Sequence, residues 1–136
     1  MDSTKLDQNI VIFVFGSNLA GRHGKGAALD AHQYYDAEYG VGVGRTGRAY
    51  AIPTKNHKLE VLPLDAIADY VKFFLLYAAA NPELTFNVTR IGCGLAGYTD
   101  ADIAPMFKNS PPNCVLSLRW REILEPGLRY RINHET

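Results

Sequence analysis

Residues 13–29 read Phe-Val-Phe-Gly-Ser-Asn-Leu-Ala-Gly-Arg-His-Gly-Lys-Gly-Ala-Ala-Leu, and this stretch constrains the chain more than any other. The apolar run of residues 10–15 stops at Gly16. Gly21, Gly24 and Gly26 follow, and a helix-forming segment opens with Ala27 and Ala28. Strand, glycine loop and helix start together make an anion site, because glycine lets backbone approach a ligand and the first helical amides lack partners. Arg22 and Lys25 add cations to the same loop. The glycines do not fall at the dinucleotide G-x-G-x-x-G spacing. Gly16 and Gly21 match the first half of a P-loop, but Arg22 and His23 stand where Lys and Ser/Thr belong. Neither common nucleotide motif applies.

The remaining elements alternate. Residues 9–15 read as a buried strand and residues 27–39 as a helix ended by Gly40. Gly42, Gly44 and Gly47 make a loose link to a second strand, residues 49–53, which Pro53 closes, leaving Thr54, Lys55, Asn56 and His57 exposed at its carboxyl end. After a loop, apolar periodicity predicts a helix over residues 64–80, stopped by Asn81-Pro82. A third strand, 84–91, runs into a second glycine loop, Gly92-Cys93-Gly94-Leu95-Ala96-Gly97-Tyr98. Thr99 and Asp102 form a capping-box pattern for a short helix over 100–108. A fourth strand over 113–118, a helical turn at 120–124 and an edge strand over 128–132 complete the chain. Alternation of this kind implies an α/β sandwich on a mixed, mostly parallel sheet, with ligands at the carboxyl ends of the strands. Residues 1–8 read as a polar, frayed terminus and residues 9–136 as one domain.

Composition removes whole classes of function. Lys+Arg and Asp+Glu both number 14, so the formal net charge is zero and no general nucleic-acid or membrane-surface binder is indicated. No apolar span or leader is evident, and Cys93 and Cys114 read as reduced thiols, which sets the expectation of a cytoplasmic protein. No metal-ligand spacing occurs, and no cofactor is called for. Asn87-Val88-Thr89 matches a glycosylation sequon but falls in an expected buried strand.

Gly16-Ser17-Asn18-Leu19 with His23-Gly24-Lys25-Gly26-Ala27-Ala28 resembles the first ribose and phosphate loop of macrodomains. Ala51-Ile52-Pro53-Thr54-Lys55 and Arg90-Ile91-Gly92-Cys93-Gly94-Leu95 resemble the branch that removes terminal ADP-ribose from proteins. The likeness runs from Ile10 to about Phe107. It implies a three-layer α/β/α macrodomain-like fold whose partner is ADP-ribose or an ADP-ribosylated substrate, while the balanced charge speaks against a membrane or nucleic acid as partner. Asn18 would meet the distal ribose, the Gly24–Ala28 backbone the diphosphate, and Gly92–Tyr98 the phosphates from the other side, with Tyr98 over the sugar. No residue is assigned to the base. Lys55 matches the family's attacking lysine, while the family's acid falls on Ala96; Asp100 or Asp102 would have to substitute.

The resemblance therefore leaves two readings: a glycohydrolase acting through Lys55, and a non-catalytic ADP-ribose-binding module. A third class is nucleic-acid or partner docking through Arg119, Arg121, Arg129 and Arg131, diluted by Glu122 and Glu125. A P-loop-like phosphotransferase ranks fourth. Single residues carry plainer readings beside these. His23 and His57 are acid–base candidates or polar surface. Cys93 lacks a base and reads as a packed thiol. Asp100 and Asp102 read as helix-capping acids, and Tyr34, Tyr35 and Tyr39 as packing for the first helix.

Overall fold

The computed structural model describes residues 10–128. The expected frayed terminus, residues 1–8, and the edge strand over 128–132 with Arg129 and Arg131 lie outside the described residues, apart from Leu128. Among the described residues five strands form one sheet: β1 (Val11–Asn18), β2 (Gly44–Thr46), β3 (Ala49–Lys55), β4 (Thr85–Val88) and β5 (Cys114–Val115). Their order is β2-β3-β1-β4-β5, parallel throughout except for the β2–β3 hairpin. The helices are α1 (Gly26–Tyr34), α2 (Leu64–Ala80), α3 (Asp100–Ile103) and α4 (Leu118–Leu124), with a 3-10 turn at Ala104–Phe107. The result is the expected α/β sandwich on a mixed, mostly parallel sheet.

The continuous apolar runs of β1 and β3 conceal an alternation, because successive side chains point to opposite faces. Phe15, Ala49 and Ala51 pack under α1 with Ala28 and Ala31. Ile12, Val14, Tyr50 and Ile52 pack on the other face with Ile67, Val71 and Phe74 of α2, Phe107 and Trp120. The first core is thin and alanine-rich, so α1 lies close to the sheet. The second is deep and aromatic, and each fully buried large side chain there contributes about 1.5–3 kcal/mol.

The boundaries differ from expectation in ways that matter for the site. β1 continues through Gly16, Ser17 and Asn18, so the loop starts three residues later than the glycine suggested. Val11 is exposed and Phe13 half-buried, so the strand is not wholly interior. β3 continues past Pro53 to Lys55. Proline cannot donate to the ladder, and the β1–β3 register breaks beside it, between Ser17 and Asn18, which sets Asn18 opposite Lys55. Thr54 is buried rather than exposed. α1 ends at Tyr34 instead of Tyr39: Asp36 takes a φ of 61°, and the amides of Tyr35 and Ala37 both turn back to the Ala31 carbonyl. Gly40 does not stop the helix; its amide reaches Gly21 O at 2.8 Å. The glycine link that read as loose contains β2, paired with β3 through Gly44↔Ala51 and Thr46↔Ala49.

α2 has its predicted limits. β4 and β5 are shorter than expected, and Leu118 starts α4 under a Ser117 cap instead of ending a strand. The short helix over 100–108 is one α-turn followed by a 3-10 turn. Asn87 lies in β4 as expected, yet its side chain is exposed. Of the tyrosines, Tyr35 stacks on Phe13 (4.3 Å between centroids, 3° between planes), whereas Tyr34 and Tyr39 are exposed.

Candidate functional site

β1 is the middle strand, joined to β3 on one side through α1 while α2 carries the chain back to β4 on the other. Ligands gather outside such reversals. A cleft of about 670 Å³ opens there, at the carboxyl ends of β1, β3 and β4.

Three segments build it. From β1 and the first loop come Gly16, Ser17 and Asn18, then Gly24, Lys25, Gly26 and Ala27. β3 contributes Thr54 and Lys55. The second glycine loop contributes Gly92, Gly94, Leu95 and Ala96. All of these were singled out in the sequence. The lining also includes Arg22 and Ala28, both read from the sequence as part of the first anion loop, and Tyr39, Leu59, Thr89, Arg90 and Ile91, which were given no contact with the ligand. Residues 89–91 directly precede the second loop, and that adjacency was a usable signal. Tyr39 and Leu59 arrive through turns that no local pattern announces.

The floor is made of unused amides. Lys25 occupies the N-cap of α1 without a side-chain cap, and the amides of Gly26, Ala27 and Ala28 have no acceptor among the described residues. In the second loop the same holds for Gly94, Leu95 and Ala96, while Tyr98 and Gly97 close the turn onto Gly92 O and Gly94 O. Among the described residues four cations line the cleft, Arg22, Lys25, Lys55 and Arg90, and no Asp or Glu does. Only Arg90 has a carboxylate partner among the described residues. In a chain with equal numbers of acids and bases, the described lining of the cleft is of one sign.

Side chains and close backbone contacts hold this shape. Asn18 closes the first turn on itself, its Nδ2 donating to Arg22 O and its Oδ1 accepting from Arg22 N, both at 2.9 Å. Ser17 Oγ donates to Gly42 O, and Thr54 Oγ1 donates to Ser17 O at 3.3 Å. Behind the second loop, Arg90 grips Asp100 with two bonds of 2.7 Å, and Trp120 Nε1 donates to Asp100 Oδ1 at 2.8 Å. The Arg90 guanidinium, helped by Trp120, pulls the Asp100 carboxyl down to about 2.

Six of the predicted site residues do not line the cleft. His23 is 1 % exposed and sits beneath the first loop, its Nε2 against Val41 O at 3.2 Å and its ring edge-on to Phe15. Cys93 packs against the main core, and burial together with the Asp100 charge raises its thiol to about 11. Tyr98, expected over a sugar, packs on the same core and donates to Leu62 O at 2.7 Å. Gly97 forms the turn. Asp100 is engaged by Arg90 and Trp120, and Asp102 is the capping acid of α3, its carboxylate accepting from Thr99 N at 3.0 Å. Neither aspartate lines the cleft, so neither stands in at Ala96, where the resemblance led us to expect an acid. His57 is exposed in the loop after β3 and lies outside the lining. Among the described residues no group of three His, Cys, Asp or Glu could hold a metal, and no helix is long and apolar enough to cross a membrane.

No protein-family model, curated protein or solved structure matches this chain.

Proposed function

We propose that this is a macrodomain-like module that binds ADP-ribose or a closely related nucleotide-sugar diphosphate. The observation that carries the reading is the uncapped N-terminus of α1 opening into a cleft that, among the described residues, has four cations and no carboxylate. Free amides at a helix start favour an anion, and the second glycine loop adds a second set of amides on the same cleft. A diphosphate suits two amide cradles better than a single phosphate does. Asn18 and Lys55, opposite each other at the strand ends, border the space for a sugar next to it.

Binding is preferred to hydrolysis because, among the described residues, no carboxylate and no histidine lines the cleft. The hydrolytic reading rests on Lys55 itself, half-buried, cleft-lining and without a carboxylate partner among the described residues. Docking to nucleic acid through Arg119 and Arg121 has less support, since Arg121 pairs with Glu125 at 3.7 Å.

Calorimetric titration with ADP-ribose, on the wild type and on Gly94→Glu, tests the reading. A Cβ at Gly94 meets nothing within 4 Å, so the variant keeps its fold while carrying an anion into the cleft. The expected result is a Kd of about micromolar that weakens by roughly a hundredfold in the variant and falls only shallowly with salt. A wild type that does not bind ADP-ribose overturns the assignment. Release of ADP-ribose from a modified protein, abolished in Lys55→Ala, would move the chain to the hydrolytic reading.

A further inference from the structure

Amides and cations explain phosphate binding but would accept any phosphate. What surrounds them is different. Three of the exposed large apolar side chains rim the cleft from three separate segments: Tyr39 at 56 % exposure, Leu59 at 41 % and Leu95 at 66 %. Leucines add apolar contact without orientation, whereas a tyrosine offers a flat π surface.

Tyr39 is also held in advance. Its ring makes edge contacts with His23 (5.6 Å, 65°) and His32 (5.6 Å, 74°), neither of which lines the cleft. The next residue, Gly40, is tied to Gly21 O, and Gly21 approaches it so closely that a Cβ there would lie 2.2 Å from the Gly40 carbonyl carbon. The two histidines are fixed in turn, His23 against Val41 O and His32 against Ala37 O at 2.9 Å. A large aromatic group is thus left mostly open to water, braced from behind, at the edge of an anion site. Such a group loses little conformational freedom when a ring settles on it.

We infer that Tyr39 is the specificity-determining residue of the cleft, stacking on the nucleobase of the bound nucleotide. The inference rests on the nucleotide-sugar reading above. Stacking on an aromatic side chain tolerates different bases, so Tyr39 selects a nucleotide over a base-free phosphate rather than one base over another.

The test is titration of wild type, Tyr39→Ala and Tyr39→Phe with ADP-ribose, ADP, UDP and inorganic pyrophosphate, with thermal midpoints recorded alongside. Tyr39→Ala is expected to weaken the nucleotides by about tenfold or more, leaving pyrophosphate affinity and the midpoint unchanged, while Tyr39→Phe matches wild type. Unchanged nucleotide affinity in Tyr39→Ala overturns the inference and leaves the ADP-ribose reading standing. Equal losses for pyrophosphate and nucleotides also overturn it, because that is what a bracing role would give. If the wild type binds ADP or UDP through Tyr39 but not ADP-ribose, the ADP-ribose reading fails and the inference holds. If no nucleotide binds more tightly than pyrophosphate, the inference fails.

Discussion

The two glycine loops border one cleft and meet where a methyl on Gly26 would touch Leu95 at 3.6 Å, yet they are fixed in opposite ways. The first is set by close backbone packing, and the side chains that help, Asn18 and Ser17, bond only to main-chain atoms. A Cβ at Gly42 would lie 2.1 Å from Asn18 O, and one at Gly21 would collide with Gly40. The second is held by side chains: Arg90, Asp100 and Trp120 form a bonded chain behind it, and Tyr98 ties it to Leu62. Glycine therefore does two different jobs in this chain. Gly21 and Gly42 allow close packing, whereas Gly24 and Gly94 face open space, and a substitution at the two kinds of position should read out differently.

The largest effect is expected where backbone meets backbone. Gly42→Ala should destabilise the fold by about 3 kcal/mol or more, because the overlap is with a carbonyl oxygen that cannot swing away. Gly24→Ala, with nothing within 4 Å, should stay within about 0.5 kcal/mol. Denaturant midpoints check both, and equal values would abolish the distinction. In the second loop, Asp100→Ala leaves the buried Trp120 Nε1 and the Arg90 guanidinium without their acceptor. A loss of about 2 kcal/mol is expected, with weaker ligand binding because Arg90 lines the cleft. The acid profile carries the same signature. Arg90 depresses the Asp100 carboxyl to about 2, so its stabilisation is complete above the ordinary value of 3.8 and disappears as pH falls towards 2. Asp100→Ala should lack that part of the acid transition. An unaltered acid profile would show that the second loop does not depend on this bond.

Much of this was legible in the sequence. The apolar periodicity of α2 was sufficient for its limits, and the Thr99/Asp102 capping box was readable because it is a local pattern. The cleft was legible in outline, since strand ends carrying glycine, Thr54-Lys55 and glycine converge in any parallel sheet. What failed depended on distant partners. Pro53 looked like a strand end, but a register break in β1 absorbs its missing donor. Gly44 looked like slack, but β3 supplies a ladder for it. His23, Cys93 and Tyr98 stand among ligand-binding residues in sequence and still turn inward, because a loop of this length has two sides and nothing local chooses between them. Tyr39 is the converse: read as packing for a helix that ends at Tyr34, it lines the cleft.

His23 offers the finest test of the backbone-held loop, through its proton. Burial lowers its pKa below the ordinary 6.5; the bond to Val41 opposes that shift and the neighbouring His32 charge adds to it. Below pH 6.5 the unfolded chain therefore takes up a proton that the folded chain resists. Stability from the neutral ring is complete above the unfolded value and declines as pH falls through and below it. Nδ1 has no partner among the described residues, so a proton added there finds no acceptor among them. The thermal midpoint should drop by a few degrees between pH 7.5 and 5.5 in the wild type, and by less in His23→Gln, which can still donate to Val41 O. Because Tyr39 rests on the same imidazole, nucleotide affinity should fall over that range alongside the midpoint, and more in wild type than in the variant. Parallel profiles in the two proteins would mean that the first loop is held by its glycines alone.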